Sequence, residues 1–284
     1  MILGNNRPAV IENIAAAAES SDFYAKVELD DPTPSPEECR AFTQRFLAQR
    51  HSFSQSLRTA PARLFANWGS DILNRSTEYV INGDLSALEQ GCFLTSNHFC
   101  PLENTILRAF VRKHGKKKLN VISQMCNFFM KGPLGYLLRN ADTIPLLEEP
   151  RYLAGEFLTV LTERFAKEEP VLIYPEQEMW FNYRKPRPPK RGAYYFAAKL
   201  NVPVMCCFVQ IIDLPGMDTK DFHKVRYVLH VLDTLYPDPE KSARQNSFDM
   251  SQKDMELKRA AYEACYGKKL TYDFDPSDIA GWKA

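Results

Sequence analysis

The stretch Cys92-Phe93-Leu94-Thr95-Ser96-Asn97-His98-Phe99-Cys100-Pro101-Leu102-Glu103 changes its pattern midway. Residues 92–96 form a short apolar run, as expected of a buried strand. From Leu102 onward the apolar residues Leu102, Ile106 and Phe110 recur every fourth position, the spacing of one helix face. The reading is a strand that ends in a polar turn and feeds a helix over residues 102–113. The alternation continues outward. Strands are expected over 78–82, 119–123, 143–146, 171–174, 202–212 and 225–232. Helices are expected over 134–139, 151–167, 190–200 and 250–266. The helix over 151–167 has the clearest pattern, with Leu153, Phe157, Leu161 and Phe165 at four-residue spacing. Alternating strands and helices predict an α/β fold, with a largely parallel or mixed central sheet flanked by helices.

The chain upstream is different. Residues 1–75 read as an N-terminal helical appendage, and residues 76–284 as the α/β domain. An alanine-rich piece carrying Val10, Ile11 and Ile14 predicts a short helix, and residues 29–36 (LDDPTPSP) read as a linker. Ser35, Pro36 and Glu38 then form a capping box with proline at the first helical position. The helical pattern runs to about residue 75, with a break expected near Pro61. Its apolar residues include Phe42, Phe46, Leu47, Phe53, Leu57, Leu64, Phe65 and Trp68. They either cap the core or face lipid and roof a substrate groove.

Composition bounds the function. The 284 residues carry 36 Lys+Arg against 35 Asp+Glu, a formal net charge of +1. That balance gives no global attraction to nucleic acid or to anionic membranes. Mean hydropathy is −0.36, and the longest apolar run, residues 202–209, is far short of the roughly 20 residues a spanning helix needs. No basic stretch followed by an apolar core opens the sequence, so no secretory leader is expected. The seven cysteines contain no CxxC pair, which predicts reduced thiols, a cytosolic setting and no zinc site.

Three segments carry candidate chemistry. His98 lies at the end of the expected strand and Glu103 at the start of the following helix. A carboxylate that accepts from one imidazole nitrogen fixes the tautomer and leaves the other nitrogen as a general base. Cys100 is a possible rival as a thiol nucleophile, or simply a small buried hydrophobe. In Val171-Leu172-Ile173-Tyr174-Pro175-Glu176-Gln177 a second buried strand ends in proline and a carboxylate. Glu176 shares a sheet edge with His98 if the two strands are neighbours. Finally, residues 184–192 hold Arg184, Lys185, Arg187, Lys190 and Arg191 among three prolines. This is either a solvated basic loop or a cradle for phosphate groups or anionic lipid. Lys116, Lys117 and Lys118 form a second basic patch. The basic loop lacks interleaved aromatics, which argues against a nucleic-acid binder.

In order and spacing these pieces resemble the glycerophospholipid acyltransferase superfamily, the group that includes bacterial 1-acylglycerol-3-phosphate acyltransferases. Four blocks over about residues 78–212 carry the resemblance. Asn97, His98 and Glu103 are similar to N-H-x4-D. Lys131, Gly132 and Pro133, followed by Thr143-Ile144-Pro145-Leu146, resemble the second block. Tyr174, Pro175 and Glu176 resemble the start of F-P-E-G-T-R, and Val202-Pro203-Val204-Met205-Cys206 the V-P strand. Lys190-Arg191-Gly192-Ala193 resembles the K-x-G bridge between the last two. The chain departs from the pattern in three places. Glu103 stands for aspartate, Gln177-Glu178-Met179 for Gly-Thr-Arg, and Leu147-Glu148 where the second block usually has an arginine.

The resemblance implies transfer of a fatty acyl group from an acyl-CoA or acyl carrier protein thioester to a hydroxyl of a lysophospholipid or glycerolipid-like acceptor. His98 is then the general base and Glu103 its orienter. Asn97, Lys131, Gly132, Pro133, Tyr174, Pro175, Glu176, Gln177, Arg184, Lys185, Lys190 and Gly192 bind substrate. No metal and no tightly bound cofactor is implied. With the phosphate-binding arginine replaced, either Arg184 or Lys185 takes its role or the acceptor is not a phosphate monoester. The expected setting is peripheral, on the inner face of the cytoplasmic membrane, held by the basic loop and an apolar helical face. The alternative is a non-catalytic lipid- or acyl-carrier-binding protein on the same scaffold.

Overall fold

Phe93, Leu94 and Thr95 have no exposed surface at all, because their strand lies at the centre of a sheet covered on both faces. The computed structural model describes residues 6–283; residues 1–5 and 284, at the outer ends of the two expected segments, lie outside it. Three helices come first: α1 (Arg7–Glu19), α2 (Pro36–Gln49) and α3 (Phe53–Leu73). Then follow β1 (Glu78–Ile81), α4 (Ala87–Gln90), β2 (Phe93–Thr95), α5 (Asn104–Lys113), β3 (Asn120–Gln124), α6 (Met125–Phe128), α7 (Gly132–Asn140) and β4 (Thr143–Leu146). The remainder is α8 (Pro150–Ala154), α9 (Glu156–Phe165), β5 (Val171–Ile173), α10 (Gly192–Leu200), β6 (Val204–Met217), β7 (His223–Leu235) and α11 (Ala243–Tyr266).

The strands form one seven-stranded sheet in the order β1-β7-β6-β2-β5-β3-β4. The five strands from β6 to β4 run parallel, β7 is antiparallel to β6, and β1 is parallel to β7. This is the mixed sheet of an α/β fold. Side chains alternate between its faces. Leu94, Val121 and Leu172 face α5 with Ile106, Leu107 and Phe110. Phe93, Ile122, Val171 and Ile173 face α9 and α10 with Phe157, Leu161, Tyr194 and Phe196. Two covered faces explain why these strands read as continuous apolar runs.

Ser35 caps α2 as expected, with the full capping box in place. The break in the N-terminal helical stretch falls at residues 50–52, however, and α3 runs straight through Pro61. Ser52 accepts from the Gln55 amide and starts a new helix there, and a proline in a long helix that is packed elsewhere costs only its own backbone bond and local clash. The expected single helix over 151–167 is two, α8 and α9, parted at Gly155. The alanine-rich α1 packs Val10, Ile11 and Ile14 against Trp180, Phe181, Phe222 and Ile279, joining the start of the chain to its end.

Helix α3 lies beside α5 and α7, fastened by Arg63, which makes a bidentate pair with Asp142. Its outer side presents Leu57, Leu64, Phe65 and Trp68, of which Leu64 is 72% and Trp68 60% exposed. Between α6 and α7 the chain passes so close to itself that a Cβ on Gly135 would sit 1.8 Å from the Met130 carbonyl oxygen. We expect Gly135→Ala to destabilise the protein by about 1–3 kcal/mol, the cost of overpacking, read as a lowered urea midpoint with unchanged slope.

Candidate active site

The site forms where β2 and β5 end side by side, with Thr95 opposite Ile173 in parallel register. Past Thr95, the Asn97 side chain donates to the Val209 carbonyl at 3.0 Å and accepts from the Val209 amide at 2.8 Å. Asn97 thus stitches the β2 end onto β6 and does not face a ligand, a correction to its expected role in substrate binding. The His98 carbonyl accepts from the Trp180 amide at 3.1 Å and the Phe99 carbonyl from the Asn182 amide at 2.8 Å. With its backbone held on both sides, His98 has a fixed aim.

Glu103 is buried and closes the turn. One carboxylate oxygen pairs with His98 Nδ1. The other accepts from the Phe99 amide and, at 2.8 Å, from the Cys100 amide. A carboxylate fixed by two backbone donors cannot swing away, so it holds the imidazole in one tautomer with Nε2 as the free nitrogen. The opposite face of the ring stacks on Tyr174, centroids 4.2 Å apart and nearly parallel. His98 and Tyr174 both line a cavity of about 930 Å³.

Glu176 lies at the same sheet edge, as expected, but it is buried and works as a support. It accepts from the His98 amide at 3.2 Å and from the Arg187 amide at 3.0 Å, and pairs with the Arg187 guanidinium at 3.1 Å. Arg187 is 1% exposed, lies over the Trp180 ring and donates to the Phe23 carbonyl. Burial lowers its pKa, with Glu176 opposing that shift.

In the first half of the basic loop the cations are therefore spent on the protein itself, while Lys190 and Arg191 at its end are exposed. Lys185 is buried, with its ammonium 2.6 Å from Asp278. Arg184 pairs with Asp213 and donates to the Ser277 carbonyl. Neither lines the cavity, so neither is placed to replace an acceptor-binding arginine. Their partners arrive from the end of the chain and from β6, which a local reading of charge does not reveal. Lys190 and Gly192 do line the cavity, as do Pro175 and Gln177. Gln177 keeps a left-handed backbone, φ 64°, the conformation glycine favours. Lys131, Gly132 and Pro133 form an exposed turn into α7, and the neighbours Met130 and Leu134 line the cavity in their place. Lys116, Lys117 and Lys118 precede β3, at the sheet edge opposite His98. Lys118 there pairs with Glu169.

The apolar length of the cavity comes from residues that the motifs do not mark: Leu134, Leu137 and Leu138 of α7, Leu102, and Trp68 and Leu73 of α3. The 3–4 spacing of the α7 leucines was their only sequence signal. Cys100 also lines the cavity, but burial pushes its thiol up to about 12, with Glu103 adding to the shift. Such a group stays protonated near neutrality and is a poor nucleophile. We expect Cys100→Ala to retain most activity in a thioester-consumption assay; a loss comparable to that of His98→Ala would make the thiol a participant.

A family model described as Acyltransferase matches residues 74–210, the segment that contains the His98–Glu103 turn and all four blocks. Over residues 74–210 the chain is similar to that acyltransferase family. The crystal structure of the 1-acyl-sn-glycerophosphate (LPA) acyltransferase PlsC from Thermotoga maritima has a similar fold, with a TM-score of 0.50. Sequence identity is 14%, over 92% of this chain and 97% of that one. No curated protein sequence matches the chain. The strand-end edge occupied by His98, Glu103 and Tyr174 is where α/β sheets place their ligands.

Proposed function

We propose that the protein transfers a fatty acyl group from an acyl-CoA or acyl carrier protein thioester to a hydroxyl of a lysophospholipid or glycerolipid-like acceptor, as a step of phospholipid biosynthesis. The carrying observation is that a His–carboxylate pair with a buried carboxylate opens into a large, mainly apolar cavity. His98 Nε2 takes the proton as the acceptor oxygen attacks the thioester carbonyl carbon. The carbon–sulfur bond of the tetrahedral intermediate then breaks, and the proton on His98 passes to the leaving thiolate. Products are an ester and a free thiol, and no acyl group rests on the protein. Glu103 keeps Nδ1 engaged throughout and stabilises the transient imidazolium. The helices up to residue 75 supply the roof of the cavity, and residues 76–284 the acyltransferase unit.

No helix among the described residues is long and apolar enough to cross a membrane. The exposed face of α3 offers another mode of contact. Phe65 and Trp68 lie both on that face and in the cavity wall, so a bilayer touching α3 would meet the cavity where a lipid chain enters. Attachment is then peripheral and chiefly apolar, since Arg184, Lys185 and Arg187 are engaged inside the protein. Replacing both Leu64 and Trp68 with glutamate is expected to reduce flotation with liposomes at least tenfold, at unchanged melting temperature. Each apolar side chain withdrawn from water contributes about 1.5–3 kcal/mol. Unchanged flotation would remove α3 from the account. The acyl-transfer reading is tested by mixing the protein with acyl-CoA and a panel of hydroxyl lipids, where thiol release that depends on acceptor is expected.

A further inference from the structure

The charges around the cavity are unbalanced in one direction. Besides Glu103, its wall holds the carboxylates Glu28, Asp30, Asp31, Glu148 and Glu178, against the cations Arg7, Arg108 and Lys190. Most of the cations are already engaged. Arg7 pairs with Glu28 at 2.6 Å. Arg108 is buried and donates to the Leu119 and Ala141 carbonyls, with Asp142 3.6 Å away. Lys26, from outside the wall, reaches Asp31 at 3.4 Å. That leaves Asp30, Glu148 and Glu178 against Lys190, whose ammonium lies over the Tyr24 ring. Glu178 is held in place by a hydrogen bond from Gln124 at 2.9 Å.

The negative field is felt by neighbouring groups. The Glu28 carboxyl is raised, mainly by burial and against Arg7, with Asp31 and Asp30 adding to the rise. The Cys126 thiol, also in the wall, is pushed up to about 11 by burial, with Asp31 and Glu178 raising it and Lys26 lowering it. The ligand site itself is fixed independently of these charges, by the His98–Glu103 pair that opens into the same cavity. A dianionic phosphate monoester entering here would meet like charge, from the exposed Asp30 and Glu148 and from the half-buried Glu178, and like charge disfavours the wrong partner.

We infer that the acceptor carries an ammonium in its head group and no phosphate monoester, and that Asp30, Glu148 and Glu178 make this selection. The inference rests on the acyl-transfer reading and specifies its acceptor. Acceptors with the same acyl chain test it, with palmitoyl-CoA as donor: lysophosphatidylethanolamine, lysophosphatidylglycerol, lysophosphatidate and monoacylglycerol. The first two share a phosphodiester and differ in the ammonium. The expected kcat/KM for the ammonium-bearing acceptor is about tenfold or more above those of the other three. The double replacement Glu148→Lys with Glu178→Lys is expected to collapse that ratio, mainly through KM. Lysophosphatidate or lysophosphatidylglycerol used equally well, or a ratio unmoved by the replacements, would overturn the inference and leave acyl transfer standing. If no acceptor led to thioester consumption, the acyl-transfer reading would fall and the inference with it.

A second readout needs no turnover. The rate of labelling lost in Cys126→Ser should be several-fold greater with a cationic than with an anionic methanethiosulfonate, and Glu178→Gln should narrow the gap. Equal rates with the two reagents in the unmodified protein would show that the field has been misjudged.

Discussion

His98→Ala is expected to lower kcat by about 10³–10⁴-fold, near the upper end of what general acid–base catalysis contributes, without shifting the unfolding transition. The size follows from the arrangement. The imidazole is fixed by Glu103 on one nitrogen and by Tyr174 on one face, so its other nitrogen is held ready to take the acceptor proton. Stability should be spared because the His98 side chain is partly exposed and its main structural bonds, to Glu176 and Trp180, are made by the backbone. Glu103→Gln should lose nearly as much activity but little stability, since its amide oxygen still accepts from the Phe99 and Cys100 amides while its NH2 donates to Nδ1 and leaves the proton on Nε2. Glu103→Ala should lose activity and stability together, because it leaves two buried N–H groups without a partner. Initial rates of free-thiol release from an acyl-CoA, beside a thermal melt of each variant, separate these outcomes.

Arg187→Met is expected to destabilise the protein by about 3–5 kcal/mol, the usual consequence of leaving one half of a buried ion pair alone. Arg187 and Glu176 are both almost fully buried. Arg187 also satisfies the Phe23 and Glu178 carbonyls. Removing it strands a carboxylate beneath the active-site turn and frees the segment that holds the His98 backbone, so activity should fall in parallel. Arg187→Lys should rescue little, because one ammonium cannot reach partners spread around a planar fork. The double variant Arg187→Met with Glu176→Leu should regain part of the lost stability, since it removes the stranded charge. Guanidinium unfolding curves of the four proteins test this; a double variant no more stable than Arg187→Met would mean that the pair does not act as a unit.

These two sites differ in how far the sequence reveals them. The His98–Glu103 pair is local: the two lie five positions apart across a strand-to-helix turn, so the sequence offers them as a pair, and the resemblance of the ordered blocks is what singles the pair out. The sequence leaves open whether β2 and β5 are neighbours; the sheet order makes them so. The Arg187–Glu176 pair is visible only as a basic loop, because the partners of Arg184 and Lys185, namely Asp213 and Asp278, come from distant parts of the chain. Charge density in a sequence does not distinguish a solvated cation from a buried, paired one. Asn97 shows the same limit. Its place beside His98 suggests a ligand contact, while its amide is spent on β6, a strand 112 residues away at Val209. The sheet order is likewise non-local, with β5 inserted between β2 and β3 and the β6–β7 hairpin carrying β1 at the far edge. Pro61 misled for a different reason. Its intrinsic cost is outweighed where a 21-residue helix is anchored at Arg63 and packed through Ala62, Asn67 and Ser70.

The central claim is direct transfer from a thioester to a hydroxyl with His98 as the base and no acylated protein. It is tested most directly by incubating the protein with an isotopically labelled acyl-CoA, with and without a hydroxyl lipid acceptor, and following lipid and intact protein by mass spectrometry. The account predicts labelled ester only when acceptor is present, no label on the protein at any time, and loss of ester formation in His98→Ala. Label on Cys100, or ester formation unaffected by His98→Ala, would contradict it.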